Sequence, residues 1–350
     1  MNESIIKEVF PINDLNSSFF DSLRSDYNGF DDWFTRKAKE KEEAYIQRNE
    51  NGEVQAFLYL KIENEELKDV EPHLEAMRRL KIGTFKIEAH CTKLGERFFK
   101  KIFDHAINEE VKEVYVTIFE REKQLPLIDR MYELGFKHVD NKGEEKVLVK
   151  SMTDVEYDPL KDYPRITSQG HNKFVLGIYP KFHTEIFPDS ALFSERYNVM
   201  KDVSYTNSIH KIYISFIADT AKLKKGDIVI IYRTSDGAGP AWYRSVVTSV
   251  CVVEEVKTRS SFADINEYID YTKRYSIFSE MDLRKWYYNP NVVILKMTYN
   301  VALTKRLNRA TLVDCVGINP SVYWGFFPVT DEQFKQIIKL GEVNEAYFIN

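Results

Sequence analysis

Apolar positions change their spacing along this chain, and each change marks an element. Over residues 80–89 the side chains are β-branched and apolar enough for a strand; polar His90, Cys91, Thr92 and Lys93 follow, and then Leu94, Phe98, Ile102, Phe103 and Ala106 recur along one helix face. Glu113–Phe119 reads as the next strand, residues 125–132 as a short helix opening around Pro126, and Leu134-Gly135-Phe136 as the start of a further strand. Upstream, residues 16–27 and 31–39 predict two helices, and Glu43–Arg48 with residues 54–62 a hairpin turning through Glu50-Asn51-Gly52. Residues 136–149 supply the last strand or pair of strands.

Periodicity lapses over residues 151–172, where Pro159, Pro164 and Gly170 interrupt alternating charges as in a connector; the linker is placed at 151–170. Beyond it the period is that of strands. Lys173–Ile178 and residues 210–216, 228–232 and 291–299 predict strands, and SVVTSVCVVEEV, residues 245–256, alternates as a barrel strand does. Gly226 sits in a turn before an apolar strand, and Gly237, Gly239 and Pro240 make a second turn. Residues 179–187 read as a short helix or turn with Pro180 at its start, 261–286 as a basic and aromatic helical stretch, and 330–340 as a closing helix.

The strand, polar turn and helix around Gly95 have the makings of a phosphate site. Main-chain N–H groups of a first helical turn lack partners, the helix dipole favours negative charge there, and a glycine lets a ligand approach closely. The order of elements over about the first 150 residues resembles the acetyl-CoA-binding half of the GNAT acetyltransferases, in which the fourth strand presents backbone to the pantetheine arm and the following loop and helix hold the pyrophosphate. The resemblance implies acetyl-CoA as cofactor, bound by Ile87, Ala89, Lys93, Leu94, Gly95 and Glu96. Where the family has Arg or Gln, two residues, Gly, one residue and Gly or Ala, this chain has His90, Lys93 and Gly95, so the last glycine alone is kept. The tyrosine that in the family protonates the departing thiolate falls at Met131, and Tyr132 is one step away, about 100° around a helix. The candidate catalytic groups are Glu88 and His90 as bases and Tyr132 as acid.

Three segments of the second half, FVLGIYPKFHTEIFPD (174–189), LKKGDIVIIYRTSD (223–236) and AWYRSVVTSVCVVEEV (241–256), look like a PUA-like barrel of the ASCH and EVE kind. This resemblance covers roughly residues 171–340 and implies a pseudo-barrel whose cleft binds RNA, or a modified base taken out of the stack. Lining positions would be Tyr179, Lys181, His183, Asn207, Ser208, Arg233, Thr234, Tyr243 and Ser245. Arg233 stands out among them, since a guanidinium at the end of an apolar strand, beside Thr234 and Asp236, can reach a phosphate or a base edge. The fold class is therefore α+β: a GNAT-like mixed sheet with helices over 1–150, and a PUA-like β-barrel with helices over 171–350.

Charge separates the halves. Residues 1–150 carry 25 Lys and Arg against 31 Asp and Glu, whereas 151–350 carry 24 against 23. Residues 257–309 hold ten basic and five acidic side chains interleaved with Tyr268, Tyr271, Tyr275, Trp286, Tyr287 and Tyr288. Basic groups neutralise phosphates and rings stack on unpaired bases, so this stretch adds Lys273 and Arg274 to the nucleic-acid candidates. A length of 350 residues exceeds what one core holds, and 43% hydrophobic content with 14% aromatic excludes a disordered chain. Cys91, Cys251 and Cys315 have no paired spacing, which argues against a disulfide framework and a structural zinc site. No apolar run nears the roughly 20 residues of a membrane span and Met1-Asn2-Glu3-Ser4 opens no signal peptide, so a cytoplasmic protein is expected. The reading is an acetyl-CoA-dependent N-acyltransferase acting on, or targeted by, nucleic acid, transfer RNA among the candidates. The alternative is a non-catalytic module that binds RNA or a modified base, with a degenerate first domain. Such pairings resemble components of toxin systems or phage defence.

Overall fold

In the computed structural model the described residues are 5–68, 70, 74–88, 94–187, 190 and 209–349. They form two compact units of mixed α+β structure, the first ending at Thr153 and the second beginning at Asp154.

The first unit is one seven-stranded sheet with four helices. In chain order it runs β1 (Ile6–Val9), α1 (Asp21–Asp26), α2 (Phe30–Lys39), β2 (Glu43–Arg48), β3 (Val54–Glu63), β4 (Arg79–Ile87), α3 (Leu94–Asn108), β5 (Glu113–Phe119), α4 (Leu125–Glu133), β6 (Lys137–Lys142) and β7 (Glu145–Ser151). The spatial order is β1-β2-β3-β4-β5-β7-β6, and only β4 and β5 are parallel, because α3 returns the chain along the sheet between them. Phe57 packs on one face with Phe10, Phe20 and Phe34, a core of edge-to-face rings beneath α1 and α2. Its neighbour Leu58 and that residue's partner Phe85 point the other way, and Phe85 meets Phe98 and Phe99 of α3. Two features depart from the sequence reading. The first helix is short, because the turn Ser18–Phe20, capped by Ser17, tucks Phe19 and Phe20 into the core before α1 starts. The strand β1 had no signal, since three of its four side chains are exposed and it is held by pairing with β2.

The second unit runs β8 (Ile166–Thr167), β9 (Lys173–Ile178), α5 (Pro180–Ile186), β10 (His210–Ser215), β11 (Ile228–Arg233), α6 (Ala241–Arg244), β12 (Val246–Thr258), α7 (Ile265–Lys273), α8 (Glu280–Tyr287), β13 (Val293–Asn308), α9 (Arg309–Asp314), β14 (Phe326–Val329), α10 (Asp331–Leu340) and β15 (Phe348–Ile349). Six strands make one sheet, ordered β10-β13-β12-β11-β9-β14, with β9 and β11 parallel. The long β12–β13 ribbon carries three register shifts, bulges that bend and twist it. The sheet curls: Tyr213 on edge strand β10 comes within electrostatic reach of Tyr179 and Tyr323, which flank strands near the opposite edge. Among the described residues β10 and β14 do not pair, so the curl is not a closed barrel.

The expected helical stretch 261–286 is two helices, because the Ser279 side chain accepts the Asp282 amide and starts α8 afresh. Tyr268, Tyr275 and Tyr287 are core residues packed on Ile212 and Ile294, which removes three of the rings offered above for base stacking. The stretch read as a connector is partly built in. Tyr163 is fully buried and donates to the Tyr299 carbonyl at 3.0 Å, Asn300 donates to the Pro164 carbonyl at 3.1 Å, and β8 pairs with β15.

Candidate functional site

Each unit presents one candidate site. In the first, β4 and β5 pair only over Arg79–Ile82 against Glu113–Val116. Beyond that point β4 stays with β3 as far as Ile87 and β5 stays with β7 as far as Phe119, so the two parallel strands part and no ladder joins 83–87 to 117–119. Gly83 stands at the parting. Its neighbours Ile82 and Thr84 pair with Leu60 and Tyr59, which leaves Gly83 as the extra residue of a bulge. Only glycine fits there, because a Cβ would lie 2.8 Å from Cδ1 of Tyr59.

The parting opens into a cleft of about 510 Å3, walled by Tyr27, Phe30, Trp33, Tyr59, Phe119 and Met131 among others. Its charged groups pair with one another or with nearby groups of opposite charge, Asp26 with Arg121 among them. Lys61 binds Glu63 at 2.8 Å and Lys37 binds Glu40 at 3.0 Å. Burial pushes the Glu63 carboxyl up, but hydrogen bonds from Lys61 and Tyr115 and the charge of Lys81 outweigh it and leave the group below its ordinary value, hence ionised. The Tyr27 hydroxyl donates to Glu145 at 2.9 Å.

The first-unit candidates divide. Ile87 ends β4, and its Cδ1 lies 3.7 Å from where a Cβ on Gly95 would stand; Leu94 and Gly95 open α3. Glu96 is buried and lies 3.4 Å from the Arg130 guanidinium, an ion pair inside the fold. Glu88 is exposed, pairs with Lys86 at 3.0 Å and lies outside the described lining of the cleft. Met131 is in that lining and Tyr132 is not; Tyr132 sits by the Lys146 ammonium. Ala89, His90 and Lys93 lie outside the described residues, as does Cys91.

In the second unit the register gathers the ends of four strands, and the turn before β14, at one end of the sheet. Ile178 and Arg233 are paired at the carboxyl ends of parallel β9 and β11, and the Thr234 amide donates to the Ile178 carbonyl at 3.0 Å. Arg233 also faces Val246 at the start of β12, beside Ser245, and Val246 faces Asn308 at the end of β13. Gly177 completes the cluster: its amide donates to Gly325 at 2.8 Å, and a Cβ on it would lie 2.5 Å from the Trp324 carbonyl oxygen, so β9 can approach the Tyr323-Trp324-Gly325 turn only as glycine. Carboxyl ends of parallel strands are where open α/β sheets hold ligands.

His183 is wholly buried there, with Nε2 2.8 Å from Thr248 Oγ1 and Nδ1 without a hydrogen bond. Burial, and then the charges of Arg233 and Arg306, hold its pKa down to about 3, so the imidazole is neutral. Arg233 is 3% exposed. Arg244 donates to Asp236 at 2.6 Å and that bond, with the Ala238 amide, holds the Asp236 carboxyl far below its ordinary value. Arg309 lies 4.3 Å over the Trp324 ring, which in turn packs on Tyr232. Tyr179, Tyr243 and Tyr323 are each about two-thirds exposed, Lys181 is exposed over the Phe182 ring, and Ser245 is buried. Thr234 is half-buried and its hydroxyl is buried without a partner. Asn207 and Ser208 lie outside the described residues.

Lys273 and Arg274 are not part of this cluster. They end α7, next to Tyr275, whose carbonyl accepts the Ile212 amide opposite Lys296 of β13. From Lys296 to Asn308 the strand runs ~40 Å at about 3.3 Å per residue. Sequence reasoning missed Thr248, Arg306, Arg309, Tyr323 and Trp324 here, and Gly83, Tyr59 and Glu63 in the first unit. A lone glycine inside the strand pattern KIGTFKI was the one available signal for a bulge.

No family model and no curated protein matches the chain. Solved structures that are similar each cover about half of it. The ASCH protein from Zymomonas mobilis is 12% identical, over 48% of this chain and 94% of that chain, with a TM-score of 0.32. The human THYN1 protein in complex with 5-methylcytosine containing DNA is 13% identical, over 49% of this chain and 98% of that chain, with a TM-score of 0.26. A chain assigned as a phosphinothricin N-acetyltransferase is 16% identical, over 43% of this chain and 100% of that chain, with a TM-score of 0.30. Among the described residues no helix is long and apolar enough to cross a membrane.

Proposed function

We propose that this protein is an acetyl-CoA-dependent N-acyltransferase that acts on, or is targeted by, nucleic acid through its second unit. The observation that carries the reading is the parting of β4 and β5 at Gly83. An extended arm that carries amides, as pantetheine does, pairs with the strand edge that the parting frees. Its pyrophosphate end then falls toward the first turn of α3 at Leu94 and Gly95, and its thioester end at the bulge. The lining carries Arg36, Lys37, Lys61 and Lys81 against Asp26 and Glu63, a positive excess that favours an amine in its deprotonated form.

Nucleic-acid binding is supported by the cluster at the end of the second sheet. Arg233 and Arg306 supply positive charge for a phosphate, and exposed Tyr179 and Tyr323, both near Tyr213, supply faces for an unpaired base. Acetyl-CoA titrated into the whole chain in a calorimeter should give saturable heat. No heat at millimolar ligand removes the acyltransferase. Binding of single-stranded RNA or DNA that weakens steeply with salt tests the second unit in the same preparation.

A second reading draws on the place of Tyr132 outside the cleft: the first unit holds acetyl-CoA without turning it over, and the protein is a binding module for RNA or a modified base. Acetyl-CoA binding with no thiol release above the uncatalysed rate would decide for it.

A further inference from the structure

The second unit holds a cavity away from its nucleic-acid cluster. It measures about 590 Å3, within the roughly 300–1,000 Å3 of small-molecule sites, and its wall is built from α10, from Ser168 and Gln169 after β8, and from Val343, Glu345 and Phe348. Lys173, at the start of β9, is also in that wall, whereas Ile178 and Arg233 stand at the other end of the strand, ~17 Å away at about 3.3 Å per residue. The wall divides by chemistry. Phe334 and Ile338 are one turn apart on α10 and share an apolar surface with Val343 and Phe348; the Phe334 and Phe348 rings meet edge to face at 5.7 Å. Lys335 and Lys339 repeat the same spacing next to them. Both are exposed, and among the described residues neither is ion-paired or hydrogen-bonded, although the Lys335 charge reaches Asp331. Lys173 is of another kind: its side chain is 4% exposed, and its ammonium donates to the Ser168 carbonyl and to Asp331 Oδ1, each at 2.5 Å. An ammonium has three N–H donors, so one is left without a partner among the described residues. A buried donor without an acceptor lowers stability unless a ligand supplies one. Of the two acidic groups in the wall Asp331 is occupied by Lys173, which leaves Glu345 as one charge against two at Lys335 and Lys339.

We propose that this cavity is a binding site for an amphipathic carboxylate, an apolar body of the fatty-acid kind with one anionic end. The carboxylate accepts the remaining donor of Lys173 and is drawn in by Lys335 and Lys339, and the hydrocarbon covers Phe334, Ile338, Val343 and Phe348. The site is independent of the acyltransferase reading and of nucleic-acid binding, since its residues belong to neither.

The test titrates the whole chain in a calorimeter with octanoate, octanol and octylammonium, which share a body and differ at the head, and with acetate, which has the head alone. Octanoate should bind one to one and about 10-fold or more tighter than each of the others. Lys335→Glu together with Lys339→Glu changes only exposed positions, so the fold should hold by circular dichroism while octanoate weakens by about 10-fold and octylammonium tightens. Lys173→Met should bring octanoate down to the affinity of octanol and leave octanol itself unchanged, which separates loss of the donor from loss of the fold. Equal binding of the three heads, indifference to the charge reversal, full octanoate affinity in folded Lys173→Met, or no saturable heat at millimolar octanoate would each overturn the proposal. Displacement of octanoate by single-stranded RNA would place it in the cluster at the other end of β9 and overturn it as well.

Discussion

In the cleft of the first unit Arg36, Lys37, Lys61 and Lys81 each have a carboxylate within 4.0 Å, whereas at the end of the second sheet the charges of Arg233 and Arg306 both bear on a neutral imidazole and Asp236 is held by Arg244. In the first site the cations are tied up by shared carboxylates, Arg36 and Lys37 on Glu40 and Lys61 and Lys81 on Glu63. What it offers is main chain: strand edges freed at Gly83 and the amides that open α3. The second keeps its strand edges paired and offers side chains, guanidiniums set in the fold and tyrosines set at its surface. Recognition by backbone and recognition by side chain therefore fail under different substitutions.

The largest expected effect is on the main-chain site. Gly95→Asp should abolish acetyl-CoA binding, because a carboxylate at the start of α3 repels the pyrophosphate and fills its approach. The fold should survive it, since a Cβ at Gly95 meets only Ile87 Cδ1, at 3.7 Å. Circular dichroism alongside calorimetry checks both, and full affinity in a folded variant would break the idea of a backbone site.

Next is the pH response of the side-chain site. His183 has a folded pKa of about 3 against an ordinary 6.5, so between those values the unfolded chain binds a proton that the folded one does not. Stability therefore falls as pH drops through that window, by up to about 1.4 kcal/mol per pH unit from this group. Urea unfolding of the unmutated chain and of His183→Gln should show their difference shifting by about 3 kcal/mol between pH 6.5 and 4, in favour of the variant at the acid end. Parallel curves would mean that the imidazole takes up its proton without leaving its place.

Arg233→Ala follows. Loss of one guanidinium from a base edge costs about 1–3 kcal/mol of discrimination, so selectivity among single-stranded sequences should fall by roughly 10- to 100-fold in a filter-binding series, whereas equal weakening of all sequences would assign Arg233 to a phosphate. The smallest effect is expected from Lys273→Ala with Arg274→Ala. These side chains lie far along the ribbon from Arg233, and Lys273 is occupied by Glu280 at 3.0 Å. Their loss should weaken all sequences alike and slightly flatten the salt dependence, leaving selectivity intact. A fall in selectivity as large as that of Arg233→Ala would join the two surfaces that the fold separates.

Regular elements were legible because their signals are local. Glu113–Phe119 was bounded to the residue, and the closing helix expected over 330–340 is α10, Asp331–Leu340, with Thr330 as its cap. Arg233 and His183 were legible as types of side chain in telling places, but Thr248, which receives His183, is 65 residues away and looks like any strand threonine. The cleft of the first unit was harder still. A parting of two strands is a relation between their partners and leaves no mark on either sequence beyond Gly83. Tyr59 falls in a strand, VQAFLYLKIE, where six of the ten positions are fully apolar, and nothing in that pattern says that its ring lies against Gly83 in the wall of a cleft.

Trp33 has a consequence of another kind. It stands in the wall of the first cleft, 5.9 Å from Tyr59, while Trp324 stands under Arg309 at the far end of the second sheet. An indole beside a filling cleft and an indole under a cation that a phosphate can draw away change their emission for unrelated reasons. With Trp242 and Trp286 replaced by phenylalanine, and either Trp33 or Trp324 replaced as well, the protein's own light would report the remaining site by itself, without a label.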